Sequence, residues 1–330
     1  MNIPYTHESI RLTGRWDTRG PKAAVTTAPG SYLEFAFSGR TALARFDVAA
    51  NAAPRLHLWL QLDGGACIEA PIDSYLRVAA PEEGDHVCRI LYKGGTENDR
   101  RWFAPLTGKV SFLGVQAEQP LPLPADERPV IEFVGDSITE GVLIDTDFPA
   151  PGDVVSYIDQ NNRIYQDDAC ATYAWLTAQA LHLRPIIMGY GAVGVTRAGM
   201  GQVPAAAIAY PQNFDGSPIT HSGQVNCVVI NHGANDRSKP AEVYLEKYTE
   251  LLDVVRAHQP QATIVALSAF CGAFHRELGE GIAAYNAKNS CHVRFIDTNG
   301  WIPAEPLHPM RGGHRIVAEH LIPLLREILG

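Results

Sequence analysis

The hydrophobic period of this chain changes once, across the proline-rich stretch Gln119-Pro120-Leu121-Pro122-Leu123-Pro124-Ala125-Asp126. Before it, short segments alternate apolar and polar residues between turn residues. Ser31–Phe37 and Thr41–Val48 flank Ser38-Gly39, and Arg55–Leu62, His86–Lys93 and Lys109–Val115 follow. This is the pattern of an antiparallel sandwich or barrel with no helix, taken here as a jelly-roll-like β-sandwich. After it, apolar runs of strand length at 129–135, 184–189, 225–231, 262–268 and 292–297 alternate with helical patterns at about 168–182, 241–258, 279–289 and 313–328. That alternation predicts βαβ units, hence a three-layer α/β/α domain on a five-stranded parallel sheet. Proline removes backbone donors and favours extended chain, so the expected division is a sandwich over 1–118, a stiff linker over 119–128 and an α/β domain over 129–330.

A chain of 330 residues, 46% hydrophobic and 19% charged, can bury a core without disulfide or metal staples, which excludes a disordered protein. The formal charge of -9 argues against nucleic acid or an anionic membrane as partner and favours a neutral one. No segment approaches the roughly 20 apolar residues of a membrane span, and the N-terminus lacks the pattern of a secretion signal. The expectation is a cytoplasmic protein. Its six scattered cysteines read as reduced thiols, with no metal-ligand spacing.

Three blocks carry chemistry. Gly135-Asp136-Ser137 follows the first apolar run, and a serine just past the carboxyl end of a parallel strand lies where open α/β sheets place their ligands. Ser137 is therefore a candidate nucleophile, or else the cap of a following helix. Gly233-Ala234-Asn235-Asp236 follows the third run, where the Asn235 amide could stabilise a developing oxyanion or merely form a turn. Near the C-terminus, Glu305-Pro306-Leu307-His308-Pro309 places His308 as general base to Ser137, with Glu305 three residues earlier to orient its ring. Asp136 and His232 are candidate site-lining residues, and Trp301, between the fifth apolar run and His308, is a candidate aromatic contact for a ligand or else a loop tryptophan packed onto the core. The polar segment 142–166 is a candidate lid or substrate wall.

In type and order these blocks resemble the SGNH, or GDSL-type, hydrolases over about 129–330. The resemblance implies an oxyanion-hole glycine in Tyr190-Gly191-Ala192-Val193-Gly194-Val195-Thr196, with Gly194 chosen and Gly191 the alternative. The preceding sandwich, Gly14-Arg15-Trp16-Asp17 and Asp168–Ala174 make the whole chain similar to carbohydrate esterase family 2. That implies a serine esterase that removes acetyl groups from acetylated xylan-type polysaccharides or related oligosaccharides, with no metal or cofactor. The family's usual Asp before the His is Glu305 here, and family 2 enzymes often work as a Ser-His dyad, so the third member stays open. The alternatives are a lipase or small acyl-ester esterase of the same superfamily and, in another class, a non-catalytic carbohydrate-binding protein.

Overall fold

The structure, a computed structural model, describes residues 1–145 and 160–330. Its N-terminal part is a nine-stranded antiparallel sheet of β1 (Asn2–Pro4), β2 (Ile10–Thr13), β3 (Ala24–Thr26), β4 (Tyr32–Phe46), β5 (His57–Leu62), β6 (Cys67–Pro71), β7 (Tyr75–Ala79), β8 (Asp85–Gly94) and β9 (Val110–Leu121). The main path runs β1-β9-β4-β8-β5-β6, with β2 and β7 also on β4 and β3 on β9.

The sheet folds over itself at β4. Two strands separated by a turn at Ser38-Gly39 were expected there, and one continuous strand runs through it instead. Leu33, Phe35 and Phe37 enter the core before that point, and Ala42, Ala44 and Phe46 after it, so the inward parity switches. The switch coincides with Gly39 at φ 121° and a register shift against β9 between Ser38 and Ala42. Such a bulge bends a strand rather than reversing it. The first half of β4 pairs with β2 and β8, the second with β7, and both faces close on Tyr92, Phe112 and Val115. β9 also reaches further than the alternation suggests: Gln119, Pro120 and Leu121 pair with Ser38, Phe37 and Ala36, so the proline-rich stretch begins as strand.

The C-terminal part has a five-stranded parallel sheet of β10 (Val130–Gly135), β11 (Arg184–Gly189), β14 (Cys227–Asn231), β15 (Thr263–Leu267) and β16 (Arg294–Ile296), in the order β11-β10-β14-β15-β16. A small hairpin, β12 (Gln212–Phe214) with β13 (Ser217–Pro218), lies apart from it. The helices are α1 (Ser137–Glu140), α2 (Gln160–Gln166), α3 (Tyr173–Ala180), α4 (Ala206–Ala209), α5 (Ala241–His258), α6 (His275–Asn289) and α7 (Arg311–Leu329). Every residue of β10 is buried, as its continuous apolar run predicts for a central parallel strand. The helix expected from 168 starts at Tyr173, because Thr172 caps it by accepting from the Trp175 N–H, and a 3-10 turn precedes it. In α7 the buried face is His314, Val317, Ala318, Leu321 and Leu325, while Ile316 is exposed.

The two parts share a core. Tyr32 and Leu91, on the outer face of the N-terminal sheet, join a cluster with Ile131, Phe133, Trp175 and Leu321. Charged contacts cross the same boundary: Arg15 to Glu132 of β10, Arg101 to Glu140 of α1, and Glu97 to Arg163 of α2.

Candidate active site

With strand order β11-β10-β14, the chain leaves neighbouring strands β10 and β14 toward opposite faces, which opens a crevice at their carboxyl ends. The loops after these two strands carry Ser137 and Asn235. Ser137 is the first residue of α1, whose cap is Asp136: its Oδ1 accepts from the Ile138 N–H at 3.0 Å. The serine N–H is left unpaired among the described residues. His308, on the loop between β16 and α7, reaches back over the crevice, with its Nε2 2.9 Å from the Ser137 Oγ. Burial lowers the imidazole pKa; Glu97 opposes that shift, while Arg163 and Arg237 add to it. His308 is thereby kept neutral at ordinary pH and able to accept a proton from Ser137.

The Asn235 amide donates one N–H to the Val193 carbonyl at 3.0 Å, which leaves its second N–H for the cleft. Asp236 beside it is fully buried and accepts from the Val195 N–H, the Thr196 N–H and the Thr196 hydroxyl, pinning the loop after β11 to the loop after β14. Gly194 serves this junction rather than the cleft. A Cβ there would lie 2.5 Å from the Asp236 Oδ1, and the Gly194 N–H donates to the Arg197 carbonyl. The N–H of Gly194, the glycine chosen for the oxyanion hole, is thus engaged, whereas the N–H of the alternative, Gly191, has no partner among the described residues. A Cβ on Gly191 would collide with the Glu97 carboxylate at 2.1 Å, so a bare backbone is needed beside that side chain.

Other expectations are corrected. Glu305 is exposed and makes no hydrogen bond or ion pair with His308 among the described residues. A three-residue spacing brings side chains together on a helix, and 305–308 is loop. Trp301 stacks on His320 of α7, with centroids 5.0 Å apart, and does not line the cleft. His232 is wholly buried behind β14, where desolvation lowers its pKa to about 4 against the attraction of Asp236. Asp136 is equally buried, its pKa pushed up to about 7 by desolvation and by the charge of Asp236, and acts as a helix cap rather than a substrate contact. His314 is buried and accepts from the Tyr173 N–H. The lid segment falls largely on 146–159, outside the described residues.

The structure also adds residues. A cleft of about 290 Å³ over Ser137 and His308 is lined by Glu97, Arg197, Arg237 and Leu307 among others. Glu97 comes from the loop between β8 and β9, so the N-terminal sheet supplies a wall of the site. No three His, Cys, Asp or Glu side chains converge as a metal-ligand set among the described residues.

Known proteins share this fold. The chain matches the solved structure of a family two carbohydrate esterase from Cellvibrio japonicus at 22% identity, covering 100% of this chain and 98% of that one, with a TM-score of 0.81. A family two carbohydrate esterase from Clostridium thermocellum in complex with cellohexaose matches at 22% identity over 97% and 99% of the two chains, TM-score 0.76. An acetyl xylan esterase from the rumen bacterium Butyrivibrio proteoclasticus matches at 19% over 98% and 96%, TM-score 0.77. These likenesses establish the two-part fold. No curated protein matches the chain. The model of the GDSL-like lipase/acylhydrolase family matches residues 133–316, which hold Ser137, Asn235 and His308 and span more than half of the chain, and the chain belongs to that family.

Proposed function

We propose that the protein is a serine esterase that removes O-acetyl groups from carbohydrates. The observation that carries the reading is the 2.9 Å contact between His308 Nε2 and Ser137 Oγ at the mouth of the β10–β14 crevice. In the first step Ser137 Oγ attacks the acetyl carbonyl while His308 takes the hydroxyl proton. The N–H groups of Ser137 and Gly191 and the free amide N–H of Asn235 receive the oxyanion. Collapse of the tetrahedral intermediate breaks the ester bond, and His308 returns the proton to the departing sugar oxygen. Water, deprotonated by the same imidazole, then releases acetate from acetyl-Ser137. Glu305, turned to solvent, takes no part in these steps.

A short acyl group suits the lining better than a long one. Its apolar members include Ala192 and Leu307, whereas Glu97, Arg197 and Arg237 would have to be desolvated beneath an extended alkyl chain. The carbohydrate assignment draws on the fold shared with family two carbohydrate esterases. The test is hydrolysis of aryl acetate, butyrate and octanoate by the wild type and by Ser137→Ala, with acetylated xylo-oligosaccharide in parallel. Turnover confined to short acyl groups and abolished in the variant is the expected result. Faster turnover of the octanoate would move the reading to a lipase, and turnover surviving in Ser137→Ala would remove the serine mechanism.

A further inference from the structure

The charge of the cleft runs opposite to that of the chain. The protein carries a formal charge of -9, yet two arginines, Arg197 and Arg237, line the cleft beside Ser137 and His308. Neither forms an ion pair among the described residues; Arg197 donates to the Ala198 carbonyl and Arg237 to the Ala234 carbonyl. Surface arginines on an acidic protein have many carboxylates within reach. Glu97, the acidic side chain among the described residues of this cleft, is held by Arg163 at 3.1 Å and pairs with neither of the other two guanidinium groups.

Their placement is built into the fold. Arg237 lies two residues beyond Asn235 and Arg197 three beyond Gly194, on the two loops that Asp236 clamps together. Arg237 is close enough to His308 to help lower its proton affinity, so it sits within electrostatic reach of the reacting atoms. A neutral sugar ring offers hydroxyl groups, for which amide and carboxamide partners serve as well. A planar guanidinium with open donors matches a carboxylate, which it binds through two parallel hydrogen bonds. Ala192 and Leu307 suit the acetyl methyl group, so the carboxylate belongs to the alcohol.

We propose that the ester hydrolysed by this protein carries a carboxylate on its alcohol moiety, an O-acetylated uronic acid unit, held by Arg197 and Arg237 while Ser137 attacks the acetyl group. This rests on the esterase reading and narrows its substrate. The hydrolysis itself is unchanged: the ester and water give acetate and the free uronic acid hydroxyl.

The test compares a mono-O-acetylated methyl glucuronoside with its neutral uronate methyl ester, identical in acetyl position. The uronate should have a kcat/KM about tenfold or more higher, chiefly through KM, and the advantage should shrink as ionic strength rises. In the double variant Arg197→Gln/Arg237→Gln the ratio of the two kcat/KM values should fall to about one. Equal values in the wild type overturn the proposal, as does a ratio that the double variant leaves intact. Aryl hemisuccinate is run against aryl butyrate as a further arm: a preference there, with none for the uronate, places the carboxylate on the acyl side and refutes the assignment to the alcohol. Aryl acetate separates the two levels of failure. If it is turned over without discrimination between the sugar esters, only the carboxylate assignment falls; if it is not turned over, the esterase reading falls and the substrate assignment with it.

Discussion

Arg15→Met removes the guanidinium that reaches from the N-terminal sheet to Glu132 in the central strand β10. Both side chains are fully buried, with Nη2 2.8 Å from Oε1, and Glu132 also receives the Tyr210 hydroxyl at 2.8 Å and His221 Nε2 at 3.1 Å. Burial alone would raise the carboxyl pKa, but Arg15 first, then His221 and Tyr210, bring it from 4.5 down to about 2. At about 1.4 kcal/mol per pK unit, that depression corresponds to about 3 kcal/mol of folding free energy. Breaking a buried pair from one side independently costs about 3–5 kcal/mol, because the remaining charge is stranded. Urea unfolding at pH 7 should therefore show Arg15→Met less stable by about 3 kcal/mol. A depressed carboxyl stabilises fully above its unfolded pKa and loses that contribution as pH falls through its folded one. The wild type should thus approach the variant on acidification, with roughly half or more of the difference gone by pH 3. Replacing both partners, Arg15→Met with Glu132→Leu, should recover much of the loss. A deficit under about 1 kcal/mol at pH 7, or one equally large at pH 3, would refute the reasoning.

Glu305→Gln should leave kcat within about twofold of wild type, since the side chain is exposed and does not touch His308; a fall of orders of magnitude would restore it as a third catalytic member. If Asn235 receives the oxyanion as proposed, Asn235→Ala should lower kcat by about 10²–10³ with little change in KM, checked with aryl acetate. For a neutral ester, kcat/KM should be lost only as pH falls below 6.5, because His308 must be neutral and its pKa is lowered. Glu97→Gln should move that limb to lower pH and Arg237→Gln to higher pH; shifts of the opposite sign would contradict the charge assignment. Expressed alone, residues 129–330 should not reach an active, cooperatively folded state, since Glu132 and Glu140 lose their cations and Ile131 and Phe133 lose Tyr32 and Leu91; a fragment with full kcat would show that the N-terminal sheet is dispensable.

The parallel strands were legible because a strand covered on both sides is a continuous apolar run, and β10, β11, β14, β15 and β16 all fall within a few residues of their expected spans. Ser137, Asn235 and His308 were legible for a related reason. Loops at the carboxyl ends of such strands converge, so residues that follow them are brought together however far apart they lie in the chain. What stayed hidden depends on backbone direction. The bend of β4 turns a two-strand pattern into one strand, and the loop before His308 turns Glu305 outward despite its i, i+3 spacing. Trp301 was placed near the site by sequence position, but its ring is taken by His320, a partner on α7 that no local pattern announces.

Glu97, Arg197 and Arg237 were missed for a reason that bears on how the protein works. None lies in an apolar period or a motif, and Glu97 belongs to the loop of a different sheet. Yet the charged contacts between the two halves converge on the segments around the nucleophile: Glu132 in its strand, Glu140 in its helix, and Arg163 on α2 behind Glu97. Lys93 of β8 adds to this by donating to the carbonyls of Ile164 and Tyr165. Adhesion alone would be served better by apolar side chains, since burying ions carries a desolvation cost that pairing only offsets. What directional pairs add is position: they set where β10 and α1 sit relative to the loop bearing Glu97. The N-terminal sheet is therefore a structural part of the site, and the cleft above Ser137 exists only with both halves in register.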